Sequence, residues 1–118
     1  MQKTRVLVVD DSELICEMLK MVCESLGTEV QTYESATDVP DNEPADWIIS
    51  DVNLPGVVDQ DPVKTYRSKG IAGRVILISG RAQAELDEMA ESTGAAGALS
   101  KDLGMMGMSA KLAELFEV

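Results

Sequence analysis

Short apolar runs alternate with amphipathic stretches along the chain. Runs rich in branched apolar residues predict strands, and they lie at residues 5–9, 29–33, 47–50, 74–79 and 96–100. Between them, apolar residues recur every three or four positions, which predicts helices. The first helix covers residues 12–26 and ends at Gly27, the second begins with Asp61 as N-cap and Pro62, and the last begins at Ser109.

Five strands that alternate with helices in 118 residues predict one domain over residues 1–118. The fold class is α/β, with a parallel five-stranded sheet between two layers of helices. The stretch from 35 to 46 contains Pro40 and Pro44, so we expect at most a short, irregular helix there. The methionines of residues 105–108 could form an adaptable binding surface, but we favour the interpretation that they fill gaps between the last helix and the sheet.

The composition is acidic and lacks histidine. Lys and Arg number 10 against 21 Asp and Glu, which gives a net charge of −11. A field of this sign repels phosphate backbones and anionic lipid, so we expect neither nucleic acid nor membrane as a partner. The absence of histidine excludes a Ser-His-Asp triad and every zinc site that needs an imidazole.

The two cysteines indicate a reducing compartment. Cys16 and Cys23 lie seven positions apart in one predicted helix, a rise of about 10.5 Å that no disulfide spans. The apolar run near the amino terminus is shorter than a signal sequence requires, and no stretch reaches the length of a membrane span. We therefore expect a cytoplasmic protein.

Polar side chains fall at the ends of four predicted strands. Asp10 and Asp11 follow the first strand, Asp51 follows the third, Ser79 ends the fourth and Lys101 follows the fifth. The carboxyl ends of parallel strands share one edge of the sheet, so these side chains should converge. Clustered carboxylates repel one another unless a cation such as Mg²⁺ intervenes, and a lysine adds further positive charge. Such a set suits phosphoryl transfer to a carboxylate.

Each of these residues has an ordinary interpretation when it is taken alone. An aspartate at a strand end commonly forms a turn or caps a helix, and a single serine or lysine is a solvated side chain. The evidence is therefore their joint occurrence at one predicted edge.

Four segments resemble, in order and spacing, the motifs of CheY-like response-regulator receiver domains of two-component signalling. They are residues 8–12 (VVDDS), 49–56 (ISDVNLPG), 78–80 (ISG) and 99–101 (LSK). The resemblance implies a flavodoxin-like fold with strand order 2-1-3-4-5. It also implies a phosphoacceptor module that catalyses its own phosphorylation and dephosphorylation without being a turnover enzyme.

The resemblance also assigns the residues of the acidic pocket. Asp51 would be the phosphoacceptor and Lys101 would contact the phosphoryl group. Mg²⁺ would be held by Asp10, Asp11, Asp51 and the backbone carbonyl of Asn53. The phosphodonor would be a sensor histidine kinase or a histidine phosphotransfer protein.

The switch implied by the resemblance departs from the usual pattern. Ser79 would be the switch hydroxyl, followed by Gly80 and Arg81, but Ala98 stands where the family often has an aromatic side chain. We therefore predict that backbone movement of residues 80–82 carries the signal. It would reach the face formed by the helix after the fourth strand, the fifth strand and the last helix. Because the chain ends about one helix after Lys101, we expect a stand-alone regulator with a protein as its output target.

Three alternatives remain open at this point. The chain could be the receiver module of a larger regulator or hybrid kinase. It could be a phosphatase of the haloacid-dehalogenase type, although that chemistry needs a second aspartate where Asn53 stands. It could also be an interaction module that never takes phosphate.

Overall fold

Strands and helices alternate from end to end in the computed structural model, which describes residues 3–116. The strands are β1 (Arg5–Val9), β2 (Glu29–Tyr33), β3 (Trp47–Asp51), β4 (Arg74–Ser79) and β5 (Gly97–Ser100). The α-helices are α1 (Glu13–Ser25), α2 (Pro62–Ser68), α3 (Gln83–Thr93) and α4 (Gly104–Phe116), and short 3-10 turns occupy Ala36–Asp38 and Lys101–Leu103. Within residues 3–116, no helix has the length and apolar character needed to cross a membrane.

The five strands form one parallel sheet in the order β2-β1-β3-β4-β5. This confirms the flavodoxin-like α/β fold and places all strand carboxyl ends along a single edge. Side chains of each strand alternate between the two faces of the sheet. One face packs on α2 and α3 through Tyr66 and Leu86, and the other packs on α1 and α4 through Leu19 and Met108.

The predicted N-cap Asp61 is confirmed, whereas Ser12, predicted as the first residue of the first helix, is its N-cap. Ser12 Oγ accepts a hydrogen bond from the Ile15 backbone N–H at 3.3 Å. Asp61 Oδ1 accepts one from the Lys64 N–H at 3.0 Å, and Pro62 is the first helical residue of α2. The predicted short helix between β2 and β3 is only the 3-10 turn Ala36–Asp38.

The apolar face of α1 buries Leu19 and Val22. Cys16 and Cys23 are buried on the same face and are free thiols, which agrees with the prediction that they form no disulfide.

The predicted start of the last helix at Ser109 is wrong. The helix α4 already begins at Gly104, so Ser109 lies within it. Met108, in the early turns of α4, is fully buried against the α1 side of the sheet. The free energy gained by this burial offsets the roughly 1 kcal/mol that a helical glycine costs. Gly107 is also sterically required, because an added Cβ would lie 2.8 Å from Leu103 Cβ.

Candidate functional site

The three carboxylates of the sequence analysis meet at the carboxyl edge of the sheet. Asp10 follows β1 directly, Asp11 is the next residue, and Asp51 is the last residue of β3. One carboxylate oxygen from each lies within 4.8 Å of the others. Asp10 is fully buried and Asp51 is 8% exposed, whereas Asp11 faces solvent. The predicted convergence is therefore confirmed, with one open side toward water.

Lys101 joins this cluster from the turn after β5. Its Nζ lies 2.8 Å from Asp51 Oδ2, to which it donates a hydrogen bond, and 3.0 Å from Asp10 Oδ2. Burial by itself lowers the pKa of the Lys101 ammonium, but its hydrogen bond to Asp51 and the negative charges of Asp51 and Asp10 outweigh burial and raise the pKa. The side chain is therefore held as a cation between the two carboxylates.

The acidic cluster is short of positive charge. Burial raises the pKa of Asp10, and the Ser12 N–H and the Lys101 ammonium offset only part of that rise. Asp10 Oδ1 accepts the Ser12 N–H at 2.8 Å, but the buried Oδ2 has no hydrogen-bond partner among residues 3–116 despite its contact with Lys101. Three carboxylates beside one ammonium, with an unsatisfied buried oxygen, fit a small divalent cation with oxygen ligands.

Asn53 donates a hydrogen bond to Asp51 Oδ1, the carboxylate oxygen that does not face Lys101. Its backbone N–H donates to Asp51 Oδ1 at 3.0 Å, while Asp51 Oδ2 faces Lys101. The two carboxylate oxygens are therefore held by different donors, which fixes the orientation of the group.

A buried hydrogen-bond chain supports the backbone of Asp51 from inside the protein. Ser50 Oγ donates to the Asp51 carbonyl at 3.0 Å, so its contact with Tyr66 at 2.7 Å is one in which the Tyr66 O–H donates. Burial raises the pKa of Tyr66 to about 12. The sequence analysis did not identify this chain, although a serine inside the apolar run of β3 is a visible sign that Ser50 needs a partner.

The predicted switch residues line the adjacent loop. Ser79 ends β4 and is buried. Since Asp51 is in register with Ile78 of the neighbouring strand, Ser79 lies one position beyond Asp51 along the sheet. Ser79 Oγ accepts the Arg81 backbone N–H at 3.3 Å, and Gly80 is exposed with open space where a Cβ would stand.

Ala98 lies in β5 and is buried in the α3 side of the core. Two neighbours that the sequence analysis missed connect this strand to the loop after Ser79. Gln83 reaches the β5 backbone with its side-chain amide, and Ser100 donates to the Arg81 carbonyl. Ser100 stands inside the segment 99–101 that carried the resemblance, but no local pattern distinguishes Gln83 from other helix-surface residues.

Comparison with known proteins identifies the family. The sequence profile of the response regulator receiver domain matches residues 6–113, so the chain belongs to that family. The chain is 26% identical over 102 residues to the C4-dicarboxylate transport transcriptional regulatory protein DctD of Pseudomonas aeruginosa, a match covering 84% of this chain and 22% of DctD.

One further relative agrees with that assignment, and a solved structure has the same fold. The transcriptional regulatory protein FixJ of Azorhizobium caulinodans is 32% identical over 97 residues, covering 80% of this chain and 46% of FixJ. The chain thus spans less than half the length of both curated relatives. The non-phosphorylated HemR receiver domain from Leptospira biflexa has the same fold, with a TM-score of 0.78, 21% identity, and coverage of 98% of this chain and 96% of that one.

Family membership decides the class of activity. A receiver domain is a CheY-like signalling module with a phospho-aspartate site, not a turnover enzyme, which disfavours the phosphatase alternative. Its phosphodonors are in general histidine kinases. The acidic triad of Asp10, Asp11 and Asp51 is typical of the magnesium-binding site of such domains.

Proposed function

We propose that Asp51 accepts a phosphoryl group, in a Mg²⁺-dependent reaction, from a histidine kinase or a histidine phosphotransfer protein. In this proposal residues 1–118 act as one receiver domain. The observation that supports it best is the position of Lys101, whose ammonium lies 2.8 Å from Asp51 and 3.0 Å from Asp10 beside an otherwise acidic cluster. Asp10 and Asp51 each also accept the N–H two positions further on, as turn residues do. A turn does not account for their shared contact with Lys101.

The transfer is a displacement at phosphorus. A carboxylate oxygen of Asp51 forms the new O–P bond while the P–N bond of the phosphohistidine breaks, and the leaving imidazole takes up a proton. Lys101 is placed to move from the carboxylate to the equatorial phosphoryl oxygens and to balance their charge. Mg²⁺, held by Asp10, Asp11, Asp51 and the Asn53 carbonyl, would supply further positive charge at those oxygens.

The charge that the phosphoryl group adds at Asp51 changes the surface that binds the output target. The Ser79 hydroxyl donates to the new phosphoryl oxygens and gives up its contact with the Arg81 N–H, so residues 80–82 shift. The surface formed by α3, β5 and α4 changes with that loop and binds a protein target. The net charge of −11 disfavours nucleic acid as the target.

Intact mass spectrometry after incubation with acetyl phosphate tests the transfer. We expect the wild-type protein to gain the mass of one phosphoryl group with Mg²⁺ present and to gain none with a chelator. Asp51→Asn should abolish the gain. Asp41→Asn should leave it unchanged, because this carboxylate is 76% exposed and is paired with Lys69 rather than with a residue of the acidic cluster. Labelling of the Asp51→Asn protein at the wild-type rate would refute the assignment.

A further inference from the structure

The side chain of Gln83, the first residue of α3, pairs with the backbone of β5 as a peptide group would. Its Nε2 donates to the Ala98 carbonyl at 2.9 Å, and its Oε1 accepts the Ser100 N–H at 2.9 Å. The second Nε2 hydrogen points to Asp87 Oδ1, also at 2.9 Å. Only one orientation of the amide satisfies two acceptors on its nitrogen and one donor on its oxygen, so the group is fixed.

The Gln83 amide replaces β4 as the hydrogen-bond partner of β5 at the point where β4 ends. The last register pair between the two strands is Ser79 with Ser100, after which the chain turns away through Gly80. The Ser100 N–H is therefore bonded to Gln83 rather than to β4. The carboxyl end of β5 depends on a side chain of the preceding helix, α3, for its position.

Ser100 makes a second link to the same loop. Its hydroxyl donates to the Arg81 carbonyl at 2.7 Å and accepts the Asp102 N–H at 3.2 Å. The Arg81 N–H in turn donates to Ser79 Oγ. Arg81 and Gln83 are thus bonded at three points to residues 98–100, which directly precede Lys101.

We propose that Gln83 is a positioning residue for phosphoryl transfer: it holds the end of β5 so that the Lys101 ammonium stays against Asp51, and it makes β5 move with the loop that follows Ser79. The proposal rests on the proposed phosphoacceptor function. It supplies the connection that an aromatic side chain at position 98 cannot make here, since Ala98 is buried and has no rotatable side chain.

The first measurement is the rate of labelling by acetyl phosphate at saturating Mg²⁺. Gln83→Met keeps the length of the side chain and removes all three hydrogen bonds, and we expect its maximal rate to fall about ten-fold through misplacement of Lys101. Gln83→Glu keeps the acceptor for the Ser100 N–H and should retain an intermediate rate. Gln31→Met, the same substitution at an exposed position of β2, should label at the wild-type rate.

A second measurement separates positioning from a general loss of structure. Calorimetry should give Mg²⁺ affinities for Gln83→Met and wild type that agree within about two-fold, because the proposed carboxylate ligands are unchanged. In ¹⁵N spectra, beryllofluoride with Mg²⁺ should shift the amides of Arg81 and Ser100 together in the wild type. In Gln83→Met only the Arg81 amide should respond in full.

The outcomes distinguish this inference from the function on which it rests. A wild-type protein that takes no phosphoryl group would overturn both. A wild-type protein that is labelled, with a Gln83→Met protein that matches its rate and its Ser100 response, would overturn the role of Gln83 alone. If Gln83→Met does not fold, Gln83→Glu takes its place, because it keeps the acceptor for the Ser100 N–H but loses the donor to the Ala98 carbonyl. A Gln83→Glu protein that matches the labelling rate and the Ser100 response of the wild type would be equally decisive against the inference.

Discussion

The Lys101→Met substitution removes the only positive side chain that contacts the acidic cluster among residues 3–116. It leaves Asp10, which is fully buried, and Asp51 without their ion pair. Loss of one partner of a buried pair costs about 3–5 kcal/mol. Because Lys101 keeps 24% exposure, water already reaches the site, and we take the lower value of about 3 kcal/mol.

This loss of stability can be measured as a melting temperature without Mg²⁺. For a chain of 118 residues, 1 kcal/mol moves Tm by roughly 4 °C, so we expect a fall of about 12 °C near neutral pH. The matched control is Lys64→Met, which removes a pair with Asp59 of nearly the same length, 3.1 Å, whose side chains are 63% and 70% exposed. That pair should contribute less than about 1 kcal/mol.

The dependence of the Lys101→Met melting temperature on pH and on Mg²⁺ identifies the cause of the destabilisation. Burial raises the pKa of Asp10, and removal of the ammonium raises it further. A group whose pKa is raised in the folded state stabilises the fold at low pH and loses that contribution as the pH rises through the folded pKa. The fall in Tm caused by Lys101→Met should therefore be smaller near about pH 5 than near about pH 8.

Mg²⁺ should restore much of the stability of Lys101→Met, because the divalent charge replaces the ammonium beside the carboxylates. At about 100 times Kd, binding adds about 2.7 kcal/mol. If Lys101→Met melts at the same temperature as Lys64→Met without Mg²⁺, the ammonium does not compensate the buried charge and our account of the site is wrong.

Two further predictions concern packing outside the pocket. Gly56→Ala should lower the free energy of unfolding by more than about 2 kcal/mol in urea, since φ is +90° and the new Cβ would lie 2.7 Å from the Thr37 backbone nitrogen. Gly27→Ala, with φ of +87° and no atom within 4 Å, is its control and should cost only about 1–2 kcal/mol; equal losses would contradict the steric argument. Burial raises the pKa of Cys16 to about 11 and that of Cys23 to about 12, so both should resist iodoacetamide at about pH 8 until the chain is unfolded. Alkylation of the native protein at the rate of a free thiol would show that these helix positions open to solvent.

Much of this protein follows from patterns within the sequence. The alternation of apolar runs and amphipathic stretches predicted the sheet, and parallel strands joined by helices place their carboxyl ends on one edge. The convergence of Asp10, Asp51 and Lys101 was predictable for that reason, although 50 residues separate the last two. The cap Asp61 was predictable because it acts on an amide only three positions away.

The start of α4 shows where local patterns mislead. The two glycines of residues 103–108 favour a loop, and intrinsic helix propensity supports that interpretation. Burial of Met108 stabilises the helix by more than the low helix propensity of the glycines destabilises it. That burial depends on contacts with α1 and the sheet, which are distant in sequence.

Tertiary structure alone decided the hydrogen bonds that brace the pocket. Tyr66 supports Ser50 across 16 positions of sequence, and Gln83 pairs with Ser100 across 17. Hydrophobic periodicity records which face of an element is buried, because burial depends on the sum of many weak contacts along that face. A directional bond between two distant polar groups leaves no period in the sequence, so it becomes visible only when the packed elements bring donor and acceptor within about 3 Å.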